Sequence, residues 1–276
     1  MTMPGKNSTV ALVFQGGGAL GAYQAGVYEA LAKAGAVPDW IAGISIGALN
    51  AAIIAGNAPE HRVERLRAFW DLVSSRVTVP SLFHDGFMRS WFNEISAGVV
   101  ALTGIPGFFE PRVPPAALSW PSTFEAISYY DTAPLHKTLL ELVDFDRLNS
   151  GEVRLSVGAV NVLTGNFAYF DTQDRIIGPE HIMASGALPP AFAPVIIDGD
   201  PWWDGGLVSN TPLQHVLDHH KAGDMTIFQV DLFSARGTMP RTLADVAQRE
   251  KDIRFSSRTR LNTDMQKELQ RLRDAA

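Results

Sequence analysis

The chain has 276 residues, 46% of them hydrophobic and 19% charged, which suits one large globular domain with a sizeable core. A net charge of −6 argues against the basic footprint of a nucleic-acid-binding protein, so no nucleic-acid partner is expected. The absence of cysteine excludes disulfides, thiol catalysis and cysteine-ligated metals.

The opening MTMPGKNSTV carries no apolar run, so no secretory signal is expected. Thr9 to Gln15, TVALVFQ, is a short apolar run that predicts a buried strand. In the next stretch Leu20, Tyr23, Val27, Leu31 and Ala34 recur at helical spacing, with Gly35 placed to end the helix. DWIAGIS predicts a second buried strand and IGALNAAIIAG a second helix ending at Gly56. An amphipathic helix follows from Pro59, with Val63, Leu66, Phe69, Trp70 and Val73 inward.

From Arg76 to Asp131 the pattern changes. This stretch is rich in Pro and aromatics, has no clean period and is too apolar for a linker. It reads as a cap of short helices and loops, with Phe83, Phe87, Trp91, Phe92, Phe108, Phe109 and Trp120 offering either a small core or an apolar channel. A helix capped by Thr132 comes next, then a strand pair turning at Thr164-Gly165 and a short helix before a Pro-rich loop. A strand, a tight turn and a second glycine-rich loop lead to a helix with Thr211 as cap and Pro212 in its first turn, and DMTIFQVDLF is a last apolar strand. The alternation predicts an α/β fold of three layers, with a mainly parallel central sheet and helices on both faces. Residues 1–240 are expected to form its main domain, with the cap inserted at about 76–131, and 241–276 read as a C-terminal helical extension that stops mid-pattern. No run of about eighteen apolar residues occurs, so no membrane span is expected. A cytoplasmic protein, with membrane contact at most peripheral, is the expectation.

The chemistry gathers in two glycine loops. Gly43-Ile44-Ser45-Ile46-Gly47 is G-x-S-x-G between a predicted strand and a predicted helix, the context of a nucleophile elbow. Two residues to either side of the serine the chain closes on itself, so Gly43 and Gly47 are required small, and Ser45 is pushed out at the head of the helix. Gly16, Gly17 and Gly18 follow the first strand, where bare N–H groups suit an oxyanion. The same glycines match G-x-G-x-x-G with Gly21, but Asp39 precedes the second strand, whereas a dinucleotide's ribose partner ends it.

A serine needs a base. His61, His215, His219 and His220 fall on amphipathic helices that suggest surface roles, and His84, His136 and His181 sit in no convincing catalytic loop. Asp204, before Gly205 and Gly206, is the better candidate: the glycines permit close approach, and burial under a cap would raise its basicity.

GGGALG, GISIG and DGG, in this order and separation from about Val10 to Pro212, resemble the patatin-like phospholipase family of acyl hydrolases. The stretch ASGALPPAF before the Asp-Gly-Gly is similar to that family as well, and Asn210 and Pro212 follow at its spacing. The resemblance implies Ser45 as nucleophile, Asp204 as the aspartate of a Ser–Asp dyad without histidine, and Gly16 to Gly18 as the oxyanion loop. Neither metal nor organic cofactor is expected. The implied substrate is a lipid or fatty-acyl ester. Acyl transfer to an acceptor other than water, and lipid binding without catalysis, remain open at this point. The tail KDIRFSSRTR resembles a bacterial subgroup in which the domain continues into a longer helical region.

Overall fold

A computed structural model of the chain describes residues 8–75, 102–220 and 223–274. The elements, in order, are β1 (Thr9–Phe14), α1 (Gly21–Lys33), β2 (Trp40–Ile44), α2 (Ile46–Ala55) and α3 (Arg62–Ser74). After them come β3 (Glu110–Pro111), β4 (Tyr130–Asp131), α4 (Ala133–Leu142) and α5 (Phe145–Leu148). The second half holds β5 (Arg154–Asn161), β6 (Phe167–Asp171), α6 (Pro179–Gly186), β7 (Val195–Ile197), β8 (Asp200–Asp204), α7 (Leu213–Asp218), β9 (Met225–Val230) and α8 (Leu243–Asp274).

Among the described residues, seven strands form one sheet in the order β7-β8-β5-β2-β1-β9, with β6 also on β5. The centre, β9-β1-β2-β5, is parallel, while β6, β7 and β8 add antiparallel pairs. β1 and β2 are buried on both faces, which is why their sequences are unbroken apolar runs. Alternation along β1 sends Leu12 and Phe14 into a large core and Ala11 and Val13 into a smaller one. The large core is covered by α1 to α6, the smaller by α7 through Leu213 and Val216. α2 is buried all round between the sheet and its neighbours α1, α3 and α6.

Several local expectations shift. α3 begins at Arg62, so Pro59 lies in the preceding turn. α7 begins after Pro212, and the Thr211 hydroxyl instead accepts a hydrogen bond from Gln15 Nε2 at 3.1 Å. Thr132 does precede α4, but the Asp131 carboxylate caps it, accepting from the Ala133 N–H at 2.8 Å. Of the stretch read as a cap, Phe83, Phe87, Trp91 and Phe92 lie outside the described residues, as does His84. Its described part is the helical pair Leu102 and Thr103, a short helical turn (Ala116–Leu118), the two-residue ribbon β3–β4, and loops. Phe108 and Phe109 cluster there with Tyr130 and Phe192, whereas Trp120 is exposed.

Candidate active site

β2 ends and α2 begins without an intervening loop, and Ser45 is the corner. Its φ of 55° lies in the left-handed region, a conformation that costs a non-glycine residue about 1–3 kcal/mol. Tight packing on both sides imposes it. A Cβ on Gly43 would overlap the Gly47 carbonyl, and one on Gly47 would lie 2.5 Å from the Phe14 carbonyl oxygen. The second contact presses the elbow against the end of β1, which brings the following glycine loop alongside. A Cβ on Gly16 would lie 3.1 Å from Ser45 Cβ.

Asp204 reaches Ser45 because β5 measures both positions. Ile44, the last residue of β2, pairs with Gly158, and Asp204, the last residue of β8, pairs with Ala159. β6 occupies the other edge of β5 across these residues, so β8 continues the edge that β2 leaves. Adjacent register positions therefore juxtapose two residues far apart in sequence. A Cβ on Gly205 would lie 2.5 Å from the Gly158 carbonyl oxygen, so glycine is required for that approach.

The Ser45 hydroxyl faces the Asp204 carboxylate and helps to hold its charge. The Gly206 N–H donates to Asp204 Oδ1, at 2.7 Å. The carboxylate is 2% exposed, and Ser45 is half-buried and reachable from solvent. Burial pushes the Asp204 carboxyl up to about 6, and the Ser45 hydroxyl and the Gly206 N–H hold it from rising further.

The glycine loop is tied down by polar residues that are themselves buried. Gln15 receives the N–H groups of Leu232 and Phe233 on Oε1, at 2.6 and 3.2 Å. Gln24 Nε2 donates to the Gln15 carbonyl at 2.7 Å, and Asn50 Nδ2 donates to Gln24 Oε1 and the Gly21 carbonyl at 2.9 and 3.0 Å. Asn210 clasps Gly16 twice: its Nδ2 donates to the Gly16 carbonyl at 2.8 Å, and its own carbonyl accepts the Gly16 N–H at 3.1 Å. The Gly16 N–H is therefore committed, while those of Gly17 and Gly18 have no acceptor among the described residues. Of the three N–H groups expected to face an oxyanion, two are left to do so. Gly16 supplies the close approach instead.

Two residues of this site carried no role in the sequence. Ser185, in α6, accepts from the Ser45 N–H at 3.0 Å and donates to the Gly158 carbonyl at 2.7 Å, locking the elbow to β5. Asn210 is the other. Each lies in a stretch that resembles the family, and each is a buried polar residue, a second signal that could have marked it.

The histidines lie elsewhere. Among the described residues none hydrogen bonds to Ser45 or Asp204. The surface role expected for His215 is wrong: its side chain is 8% exposed, and Nε2 lies 3.4 Å from Asp171 Oδ2. Asp171 also accepts from Arg154 Nε at 2.9 and 3.0 Å and from Ser156 Oγ at 2.6 Å. Burial works against its charge, but the bonds from His215, Arg154 and Ser156 outweigh that and hold its carboxyl below the ordinary range. Among the described residues no group of three or more His, Asp or Glu is placed to hold a metal ion. No helix among them is long and apolar enough to cross a membrane.

The glycine loop, the elbow and the end of β9 all open at the carboxyl edge of the parallel strands, where open α/β sheets hold their ligands. That arrangement defines an elbow-type α/β protein. Within this class the chain belongs to the patatin-like phospholipase family, whose model matches residues 12–217, and that family is one of lipid acyl hydrolases. Among solved structures it is similar to VipD from Legionella pneumophila, at 16% identity and a TM-score of 0.46, over 80% of this chain and 49% of that one. The chain thus spans about half the length of VipD. No curated protein matches it in sequence.

Proposed function

We propose that this chain is a serine acyl hydrolase that cleaves carboxyl esters of lipid-like substrates, with Ser45 and Asp204 as a catalytic dyad. The observation that carries this reading is the Ser45 hydroxyl set against a buried carboxylate that burial raises to about 6. An ordinary aspartate is a poor base at neutral pH. One at about 6 is still ionised there and accepts a proton far more readily.

Ser45 Oγ attacks the ester carbonyl carbon as its proton passes to Asp204. The electron pair displaced from the carbonyl becomes an oxyanion, held by the N–H groups of Gly17 and Gly18. A lost donor of this kind costs about 100- to 1,000-fold in rate, so two are a large part of the catalytic effect. The intermediate collapses, the ester C–O bond breaks, and the leaving alkoxide takes the proton from Asp204. Water then attacks the acyl-serine, giving its proton to Asp204. Collapse of the second intermediate returns that proton to Ser45 and releases the carboxylic acid. No cofactor takes part in any step.

The lipid-like substrate is supported by the family and by the rim of the site. Leu20 lies two residues after Gly18, Leu188 follows the Ala187 carbonyl that accepts the Asp204 N–H, and Leu207 follows Gly206. All three are exposed, an apolar border suited to an acyl chain or a lipid surface.

The test is hydrolysis of p-nitrophenyl esters graded from acetyl to palmitoyl, and of phosphatidylcholine in mixed micelles. Turnover that favours the longer acyl chains and falls by roughly 1,000-fold or more in Ser45→Ala supports the proposal. A folded chain that hydrolyses none of these substrates, or a Ser45→Ala variant as active as the parent, overturns it. Product analysis with glycerol present separates hydrolysis from acyl transfer.

A further inference from the structure

We infer that Asn210 is a positioning residue for the oxyanion loop: it sets the direction of the Gly17 N–H by fixing the carbonyl on the other side of the same peptide plane. The inference rests on the hydrolase reading above and assigns a role within that site.

In a planar trans peptide the C=O of one residue and the N–H of the next point in opposite directions. Holding the Gly16 carbonyl therefore aims the Gly17 N–H. Asn210 Nδ2 holds that carbonyl at 2.8 Å. The next plane is held likewise, since the Gly17 carbonyl accepts the Leu20 N–H at 3.3 Å, which aims the Gly18 N–H. The first anchor is a side chain and can be removed. The second is backbone and cannot.

The loop needs such an anchor. Glycines resist fixation because their backbones have the widest conformational choice. Gly17 is half-buried and Gly18 exposed, so packing alone leaves them weakly held. Asn210 is 8% exposed and grips both peptide groups of Gly16, accepting the N–H at 3.1 Å as well as donating to the carbonyl. A preorganised donor is worth more than one that must be ordered during reaction, because no reorganisation is spent in the transition state.

The residue type is specific. The bond needs an amide N–H at the length of an asparagine, and an aspartate would set an oxygen against the Gly16 carbonyl. Asn210 also stands between the two halves of the site. Its Oδ1 would lie 3.0 Å from a Cβ on Gly206, the residue whose N–H binds Asp204. The loop that carries the base thus carries the clamp on the oxyanion donors.

The experiment compares the parent chain with Asn210→Ala and Asn210→Asp in ester hydrolysis and in inhibition by a long-chain alkyl trifluoromethyl ketone, whose serine hemiketal bears an oxyanion. Both variants are expected to lose about tenfold to a hundredfold in kcat with KM within about twofold, below the cost of deleting a donor outright. Ketone affinity should fall by the same factor. In Asn210→Ala the acidic limb of the rate profile should stay near its parental position, because Asp204 keeps its own partners. A merely structural role would lower the fraction of active protein without changing ketone affinity per active site. Parental kcat and ketone affinity in both variants overturn the assignment, as does a rise in KM at constant kcat or failure of both variants to fold. In each of those cases a parent chain that turns over ester leaves the hydrolase reading standing, whereas an inert, folded parent overturns both.

Discussion

Replacing Asp204 by Asn should abolish most turnover and at the same time stabilise the fold at neutral and alkaline pH. The carboxyl is 2% exposed and is raised from 3.8 to about 6, with burial as the larger cause. At about 1.4 kcal/mol per pH unit, that rise sets the cost of holding the charged side chain in the fold at about 3 kcal/mol. The sign follows from linkage. A folded-state value above the unfolded one favours the fold below about pH 4, and this contribution is lost as pH rises through about 6. Asparagine can still accept the Gly206 N–H, and it carries no charge to bury. Urea unfolding of parent and Asp204→Asn at pH 4 and pH 8 should therefore give curves nearly coincident in the acid. At pH 8 the variant should be more stable by on the order of 1–3 kcal/mol, the lower end allowing for relaxation around the site. A variant no more stable at pH 8, or a gap of equal size at both pH values, would refute the reasoning that burial tunes this carboxylate.

Three further outcomes follow from the same geometry. The kcat/KM of ester hydrolysis should rise with pH through about 6 as Asp204 ionises; a profile flat from pH 4 to 8 contradicts a base at that value. Ser185→Ala leaves the buried Ser45 N–H and Gly158 carbonyl without their shared partner, so urea unfolding should show a loss on the order of 1–3 kcal/mol, with turnover reduced as the elbow loosens. An unchanged unfolding curve would remove Ser185 from the elbow. His215→Ala should destabilise the Asp171 cluster yet leave turnover per folded molecule within about threefold, since structural changes away from a reacting centre act mainly through stability; a loss of several orders of magnitude would point to a histidine base.

The elbow was legible in the sequence because its demands are local. A buried strand, two glycines around a serine and an apolar helix start all fall within a dozen residues, and each has its own steric reason. The parallel core was equally readable, since strands covered on both faces are written as unbroken apolar runs. Asp204 was not readable in that way. Its meeting with Ser45 depends on the register of β5, which pairs with both strands and leaves no spacing rule in the chain; the two glycines after it made it a candidate base, and the family resemblance added the link to Ser45. Asn210 and Ser185 fell in stretches that resemble the family, but nothing local gave either a role, and their work became visible only once their hydrogen-bond partners were known. His215 was misread because α7 is six residues long, too short for periodicity to separate a buried face from an exposed one. The stretch from Arg76 offered no period at all, and its described part is mostly irregular and aromatic.

The central claim, that Ser45 is an activated nucleophile facing an oxyanion site, is tested most directly by labelling the folded chain with a fluorophosphonate and locating the adduct by peptide mass spectrometry. The reagent reacts where a serine is both deprotonated by a base and opposed by oxyanion donors, so it reads both halves of the site together. An adduct is expected on Ser45 alone, lost in Ser45→Ala and strongly slowed in Asp204→Asn. A folded chain that remains unlabelled in the presence of detergent or lipid, or that labels at another serine, would contradict it.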